Sequence, residues 1–182
     1  LGDTVFVIDN ANDVVVENVN EGTDTVQTTF SYTLLNNFEN LTLTGLSGVA
    51  GTGNSVNNVL TGNTGNNNLQ GLDGDDTLIG GAGADSLSGG TSRDTADYSG
   101  SPSGIGVTID GGAGVGGDAQ GDTITSSIEV VIGSAWNDTI VGESSKESLV
   151  GGAGSDSLLG DDGDDSLVGG ADGATLFGGD AD

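Results

Sequence analysis

The sequence predicts an all-β chain wound into a coil of short parallel strands, and three observations carry that expectation. Large apolar residues recur at nine-residue spacing, as Leu60, Leu69, Leu78 and Leu87 in one run and Ile140, Leu149, Leu158, Leu167 and Leu176 in another. A Gly-rich turn precedes each of them, usually with Asp or Asn two positions before the apolar residue. No stretch keeps a 3.6-residue apolar period, so no helix is expected. One such unit cannot bury its apolar side chain alone, so successive units must stack.

Residues 71–88 show the unit most clearly. Gly71-Leu72-Asp73-Gly74-Asp75-Asp76-Thr77-Leu78-Ile79 is followed directly by Gly80-Gly81-Ala82-Gly83-Ala84-Asp85-Ser86-Leu87-Ser88. The glycines of the first six positions permit a tight turn with its carbonyls directed to a common point. The x-Leu-x triplet that closes each unit reads as a short strand with one side chain inward.

In chain order, residues 1–52 form a leader of β-branched runs, 5–8, 14–16, 25–34 and 41–44, separated by Asp, Asn and Gly, which read as strands and turns. Within it Val26, Thr28, Phe30, Tyr32 and Leu34 alternate and predict one inward face. Residues 53–97 are the first array. Its units 53–61 and 62–70 carry Asn58 and Asn67 at position six, and unit 89–97 has Ser92 and Ala96 in place of Gly and Leu. Residues 98–132 break the period, with a turn at 98–102, a strand at 105–109, a Gly/Asp loop at 111–122 and a return strand near 128–132. The second array, 133–182, holds complete units at 151–159 and 160–168, with Asp138, Glu147 and Ala174 at position six of its other units. The arrays are out of phase, so the insert must absorb the mismatch within one continuous solenoid. Residues 1–6 look like the tail of a repeat and 178–182 like one broken off in its turn, so both ends are expected to be cuts through a longer repeat protein.

Composition narrows the chemistry. The net charge is −26, with Arg93 and Lys146 as the basic residues. Nucleic acid and anionic membrane are therefore poor partners, and cations are natural ones. With no Cys and no His, metal ligands must be oxygens, which suits a hard cation such as calcium or magnesium. No apolar run is long enough to cross a membrane as a helix. If two units form one coil, turns on the same side belong to units n and n+2, which places Asp76 next to Asp94, Asp138 next to Asp156 and Glu147 next to Asp165.

Gly80–Ser88 and Gly151–Leu159 match Gly-Gly-x-Gly-x-Asp-x-U-x, with U apolar, and so resemble the known calcium-binding nonapeptide of RTX (repeats-in-toxin) proteins. The resemblance implies a right-handed parallel β-roll with calcium-binding Gly/Asp turns, flanked by irregular β coils. It implies several Ca2+ ions held by Asp76, Asp85, Asp94, Asp138, Glu147, Asp156 and Asp165 together with turn carbonyls. The turn glycines concerned are Gly71, Gly74, Gly80, Gly81, Gly83, Gly151, Gly152, Gly154, Gly160 and Gly163. Turns at Asn58, Asn67 and Ala174 are expected to bind calcium weakly or not at all. The function implied is a structural module of a secreted or surface-displayed bacterial protein that folds on calcium after type I secretion. Polysaccharide, or neighbouring copies in a surface assembly, are further candidate partners, and the tail of a secreted hydrolase or epimerase is the alternative. An enzyme is not expected, because adjacent carboxylates such as Asp75 and Asp76 on one turn do not flank a substrate.

Overall fold

Strands form wherever an x-apolar-x triplet leaves a Gly-rich turn. The structure, a computed structural model, describes residues 2–19 and 21–180. Leu1, Ala181 and Asp182, which enter the expectations about the two ends, lie outside the described residues. The leader and first repeat give β1 (Val5–Ile8), β2 (Thr25–Thr28), β3 (Tyr32–Thr33), β4 (Asn40–Leu43), β5 (Ala50–Thr52) and β6 (Val59–Thr61). The repeats that follow give β7 (Asn68–Asp73), β8 (Thr77–Ile79), β9 (Ser86–Thr91) and β10 (Thr95–Asp97). The insert gives β11 (Gly106–Thr108), β12 (Thr123–Ile124) and β13 (Val130–Ile132). The second array gives β14 (Thr139–Val141), β15 (Ser148–Val150), β16 (Ser157–Leu159), β17 (Ser166–Val168) and β18 (Thr175–Phe177).

These strands stack in parallel as a β-solenoid, as the sequence predicts. One face is a nine-stranded sheet in the order β1-β2-β4-β6-β8-β10-β13-β15-β17. The opposite face consists of β3-β5-β7-β9-β12 and of β11-β14-β16-β18, joined by a parallel bridge between Ile109 and Ile124. Leu41, Leu60, Leu78, Ala96, Val131 and Leu149 register one upon the next and are fully buried. Leu69, Leu87, Ile140 and Leu158 line the other side of the same core. The strands are flanked by turns on both edges, and those turns position the candidate site.

Two leader expectations need correction. Val14–Val16 forms no strand, and Val14 and Val16 are largely exposed. It lies in the connection between β1 and β2, where the adjoining coil meets it through a side chain, Asn37 Nδ2 donating to the Glu17 carbonyl at 3.0 Å. The alternating stretch 25–34 is two strands on opposite faces, β2 and β3, with a bend at Thr29–Phe30. The alternation survives the bend because both strands turn the same set of side chains toward one core.

The insert absorbs the phase shift on one face only. On the nine-stranded face β10 pairs directly with β13, Ala96 opposite Val131. On the other face the chain passes twice. β11 pairs forward with β14, residues 110–122 fold back through an antiparallel Gly106–Val115 bridge and a 3-10 turn at Gly117–Ala119, and β12 pairs backward with β9. Strand order on that face therefore departs from chain order, and an extra rung compensates the broken period.

Candidate metal centre

A position-six Asp tucks under the following strand, where it bonds across to the coil before it. Asp94 Oδ1 accepts the Asp76 N–H at 2.8 Å, and Asp76 Oδ1 accepts that of Asn58 at 2.7 Å. Asp85, Asp156 and Asp165 make the same bond to the N–H groups of Asn67, Asp138 and Glu147, at 2.7, 2.9 and 2.9 Å. These contacts each span 18 residues, so same-side turns belong to units n and n+2. Asp138 reaches instead into the insert, where its Oδ1 accepts the Ile105 N–H at 2.8 Å.

The second carboxylate oxygen separates two classes of turn. In Asp76, Asp85, Asp94, Asp156 and Asp165, Oδ2 is buried and has no hydrogen-bond partner. In four other units the second residue of the turn donates its N–H to the position-six side chain: Asn54 to Asn58 at 2.7 Å, Asn63 to Asn67 at 2.9 Å, Ser134 to Asp138 at 2.6 Å and Glu143 to Glu147 at 3.3 Å. Backbone conformation accounts for the difference. In the five open turns position two is left-handed, at Leu72, Gly81, Gly90, Gly152 and Asp161, with φ between 71° and 126°. A left-handed residue there directs its N–H away from the carboxylate. Leu72 and Asp161 hold this conformation at a cost of about 1 kcal/mol each.

Position one shows what the position-six side-chain oxygen faces, in open and closed turns alike. A Cβ built on Gly133 would lie 2.5 Å from Asp138 Oδ2 and 2.5 Å from the carbonyl of Gly151 in the next coil. Gly160 faces Asp165 Oδ2 and the Gly178 carbonyl in the same way, and Gly71 faces Asp76 Oδ2 and the Gly89 carbonyl. Gly80 and Gly151 face the carboxylates of Asp85 and Asp156. At positions two and four, Gly74, Gly81, Gly83, Gly152, Gly154 and Gly163 each lie against a backbone carbonyl of the turn 18 residues earlier. Carboxylate and carbonyl oxygens from stacked turns thus converge, while Arg93 and Lys146 are exposed and the Oδ2 atoms of the open turns have no hydrogen-bond partner. Among the described residues no three carboxylates gather at one point, so each turn offers a carboxylate oxygen with backbone oxygens. That donor set fits calcium, a hard cation that accepts six to eight oxygens in flexible geometry.

Burial, with neighbouring carboxylates as lesser causes, pushes Asp76 up to about 7 and Asp94 to about 6; Asp85 rises to about 6, again chiefly through burial. Asp156 and Glu147 are raised for the same leading reason. A raised folded-state pKa means that the folded chain holds these protons more tightly than the unfolded chain does. The stabilisation is complete below the unfolded value near 4 and is lost as pH rises through about 6 to 7. The metal-free chain is therefore expected to show more β structure at pH 5 than at pH 8, measured by circular dichroism in chelator.

The Asn turns close without a cation. Asn58 Nδ2 donates to the carbonyls of Phe38 and Glu39 at 3.0 and 3.2 Å, and Asn54 Nδ2 donates to those of Leu35 and Phe38, both at 2.8 Å. Asn67 Nδ2 reaches the Val49 carbonyl at 3.0 Å. Asn58→Asp is expected to destabilise the calcium-saturated chain by about 1 to 3 kcal/mol, since two carbonyls lose a donor and a charge is added beside Asp76. Urea unfolding measures this, and a gain in stability with one more bound calcium would contradict it.

The glycine register did not reveal four further acids on these ladders. Asp24 Oδ1 accepts the Thr4 N–H at 2.8 Å, and Glu39 Oε2 accepts that of Asp24 at 2.8 Å. Asp122 Oδ1 accepts the Asp85 N–H at 2.7 Å, and Glu129 Oε2 accepts that of Asp94 at 2.8 Å. The neighbour of Asp85 is thus Asp122, not the turn near residue 103 that regular spacing predicts. Triplets such as Asp24-Thr25-Val26 and Asp122-Thr123-Ile124 repeat the Asp-Thr-apolar form of Asp76-Thr77-Leu78, and that signal could have located two of the four.

Four copies of the sequence pattern of the RTX calcium-binding nonapeptide repeat match residues 52–87, 61–96, 123–158 and 141–176, more than half of the chain. The chain belongs to the RTX calcium-binding repeat family. The RTX match resumes at residue 123, ahead of the opening glycine Gly133 and in line with the pairing of β12 and β13 into the roll. Two similar proteins, both from Rhizobium meliloti (strain 1021), are the endo-1,3-1,4-beta-glycanases EglC, 40% identical over 60 residues, and ExsH, 42% identical over 59. These alignments cover 33% and 32% of the RTX chain, and 13% and 12% of the relatives.

Proposed function

We propose that this chain is a calcium-dependent structural module of a secreted or surface-displayed bacterial protein, exported unfolded by type I secretion and folded by calcium outside the cell. The observation that carries the proposal is the set of buried, unpartnered Oδ2 atoms, on Asp76, Asp94 and Asp165 at the turns before one face of the solenoid and on Asp85 and Asp156 at the turns before the other. These five are the proposed principal ligands, with carbonyls of the Gly-rich turns completing each shell. Asp138 and Glu147 are proposed as weaker ligands, because a cation there displaces the Ser134 N–H or the Ser145 hydroxyl.

The glycanase activity of the two relatives favours a second reading, in which the module is the repeat tail of a secreted glycan-cleaving enzyme. No catalytic step is assigned to these residues. The test of the main reading is β-type circular dichroism followed against free calcium. A cooperative midpoint at about 10⁻⁴ to 10⁻³ M, the range of extracellular modules, supports external folding. A midpoint at about 10⁻⁷ M or below, in the range of intracellular sensors and buffers, would overturn export in the unfolded state.

A further inference from the structure

We propose that the leader carries a divalent-cation site anchored on Asp24, outside the matched repeats that begin at residue 52, and that the ion clamps the first coil of the chain onto the roll. The proposal rests on the calcium reading of the open turns. Asp24 is 1% exposed, and its Oδ2 has no hydrogen-bond partner, as in the five open turns. A buried carboxylate oxygen without a donor calls for a cation.

The backbone before Asp24 reproduces positions four, five and six of an open repeat. In the open turns position four is left-handed, at Gly74, Gly83, Ser92, Gly154 and Gly163, with φ between 84° and 139°. The closed turns hold Val56, Gly65, Trp136 and Ser145 there, none of them at positive φ. Gly22, two residues before Asp24, has φ 146° and belongs with the open set. A Cβ built on it would lie 3.0 Å from the carbonyl carbon of Gly2 in the coil before, just as Gly74 and Gly154 lie against Val56 and Trp136. At position five the Thr23 N–H donates to Asp3 Oδ1 at 3.0 Å, as the Asp75 and Ser155 N–H groups donate to Asn57 and Asn137 Oδ1 at 3.0 and 2.8 Å. At position six Asp24 Oδ1 accepts the Thr4 N–H at 2.8 Å, which leaves Oδ2 for an ion. The repeat pattern passes over this turn because Val19, exposed to solvent, stands where a repeat has its first glycine. One carboxylate oxygen with backbone oxygens suits a hard divalent cation of calcium type.

The experiment counts calcium bound per chain at saturation, by equilibrium dialysis and elemental analysis. Asp24→Asn is expected to lower the count by one, because the amide oxygen still accepts the Thr4 N–H while the charge is gone. Asp9→Asn, which removes the same charge from an exposed position of the leader, is expected to leave the count unchanged. An unchanged count in Asp24→Asn, or an equal loss in Asp9→Asn, overturns the leader site, and a loss in Asp76→Asn within the same series shows that the repeat sites stand without it. A wild-type chain that binds no calcium overturns the calcium reading itself. Anomalous diffraction from the calcium-saturated wild-type chain needs no variant. Calcium bonded to Asp24 Oδ2 is the expected result, and calcium at Asp76 with none at Asp24 overturns the leader site.

Discussion

In excess chelator the β-type circular dichroism of this chain is expected to give way to a coil spectrum, and to return when calcium is restored. The cause lies in the ladders. Asp76 and Asp94 stand in consecutive coils, as do Asp85 and Asp122, and Glu147 and Asp165. Two carboxylates ~5 Å apart repel by about 3 kcal/mol at an effective dielectric near 20, and the repulsion recurs coil after coil. Sharing one N–H per coil does not offset it, because each open turn still buries an unpartnered oxygen. A cation shared between stacked turns reverses the sign of both effects. At one hundred times its dissociation constant each site adds about 2.7 kcal/mol, so five together match the whole stability margin of an ordinary domain. A chain that keeps its β signal in chelator at pH 8 would show that the turns hold without metal.

Gly151→Ala is expected to destabilise the calcium-saturated chain by about 3 kcal/mol and to remove one bound calcium. The added methyl lands on the carboxylate of Asp156, within 2.7 Å of its Cγ and 2.9 Å of its Cβ. Neither group can retreat: Asp156 is 2% exposed and is tied to Asp138 across the coil. Overpacking at a rigid site costs about 1 to 3 kcal/mol, and the loss of a cation adds to it. Gly100→Ala is the control, since a Cβ there meets nothing within 4 Å, and it is expected to be neutral. Urea midpoints of the two variants give the comparison, and similar values for both would contradict the cradle at position one.

The repeats were legible because the nine-residue period states strand, turn and inward side chain together, and Leu78, Leu87, Leu149 and Leu158 are buried as that period requires. The pairing of Asp76 with Asp94 followed from counting two units per coil. What the sequence hid was register outside the period. Asp122 stacks on Asp85 only because the chain doubles back within the insert, and a strand laid down out of chain order leaves no fixed spacing to count. The split between open and closed turns was also hidden. It depends on the backbone at position two, where Leu72 adopts a left-handed conformation that its residue type disfavours. Val14–Val16 misled for the opposite reason: its β propensity is strong, but the adjoining coil meets it through the Asn37 side chain and it forms no strand.

The central claim is that calcium is held at the unpartnered Oδ2 atoms of the open turns. Anomalous diffraction from crystals of the calcium-saturated chain tests it most directly. The expected result is calcium bonded at about 2.3 to 2.6 Å to the carboxylates of Asp76, Asp85, Asp94, Asp156 and Asp165, with none at the amide-closed turns of Asn58 and Asn67. Calcium at the Asn58 and Asn67 turns, with none bonded to Asp76 or Asp156, would contradict it.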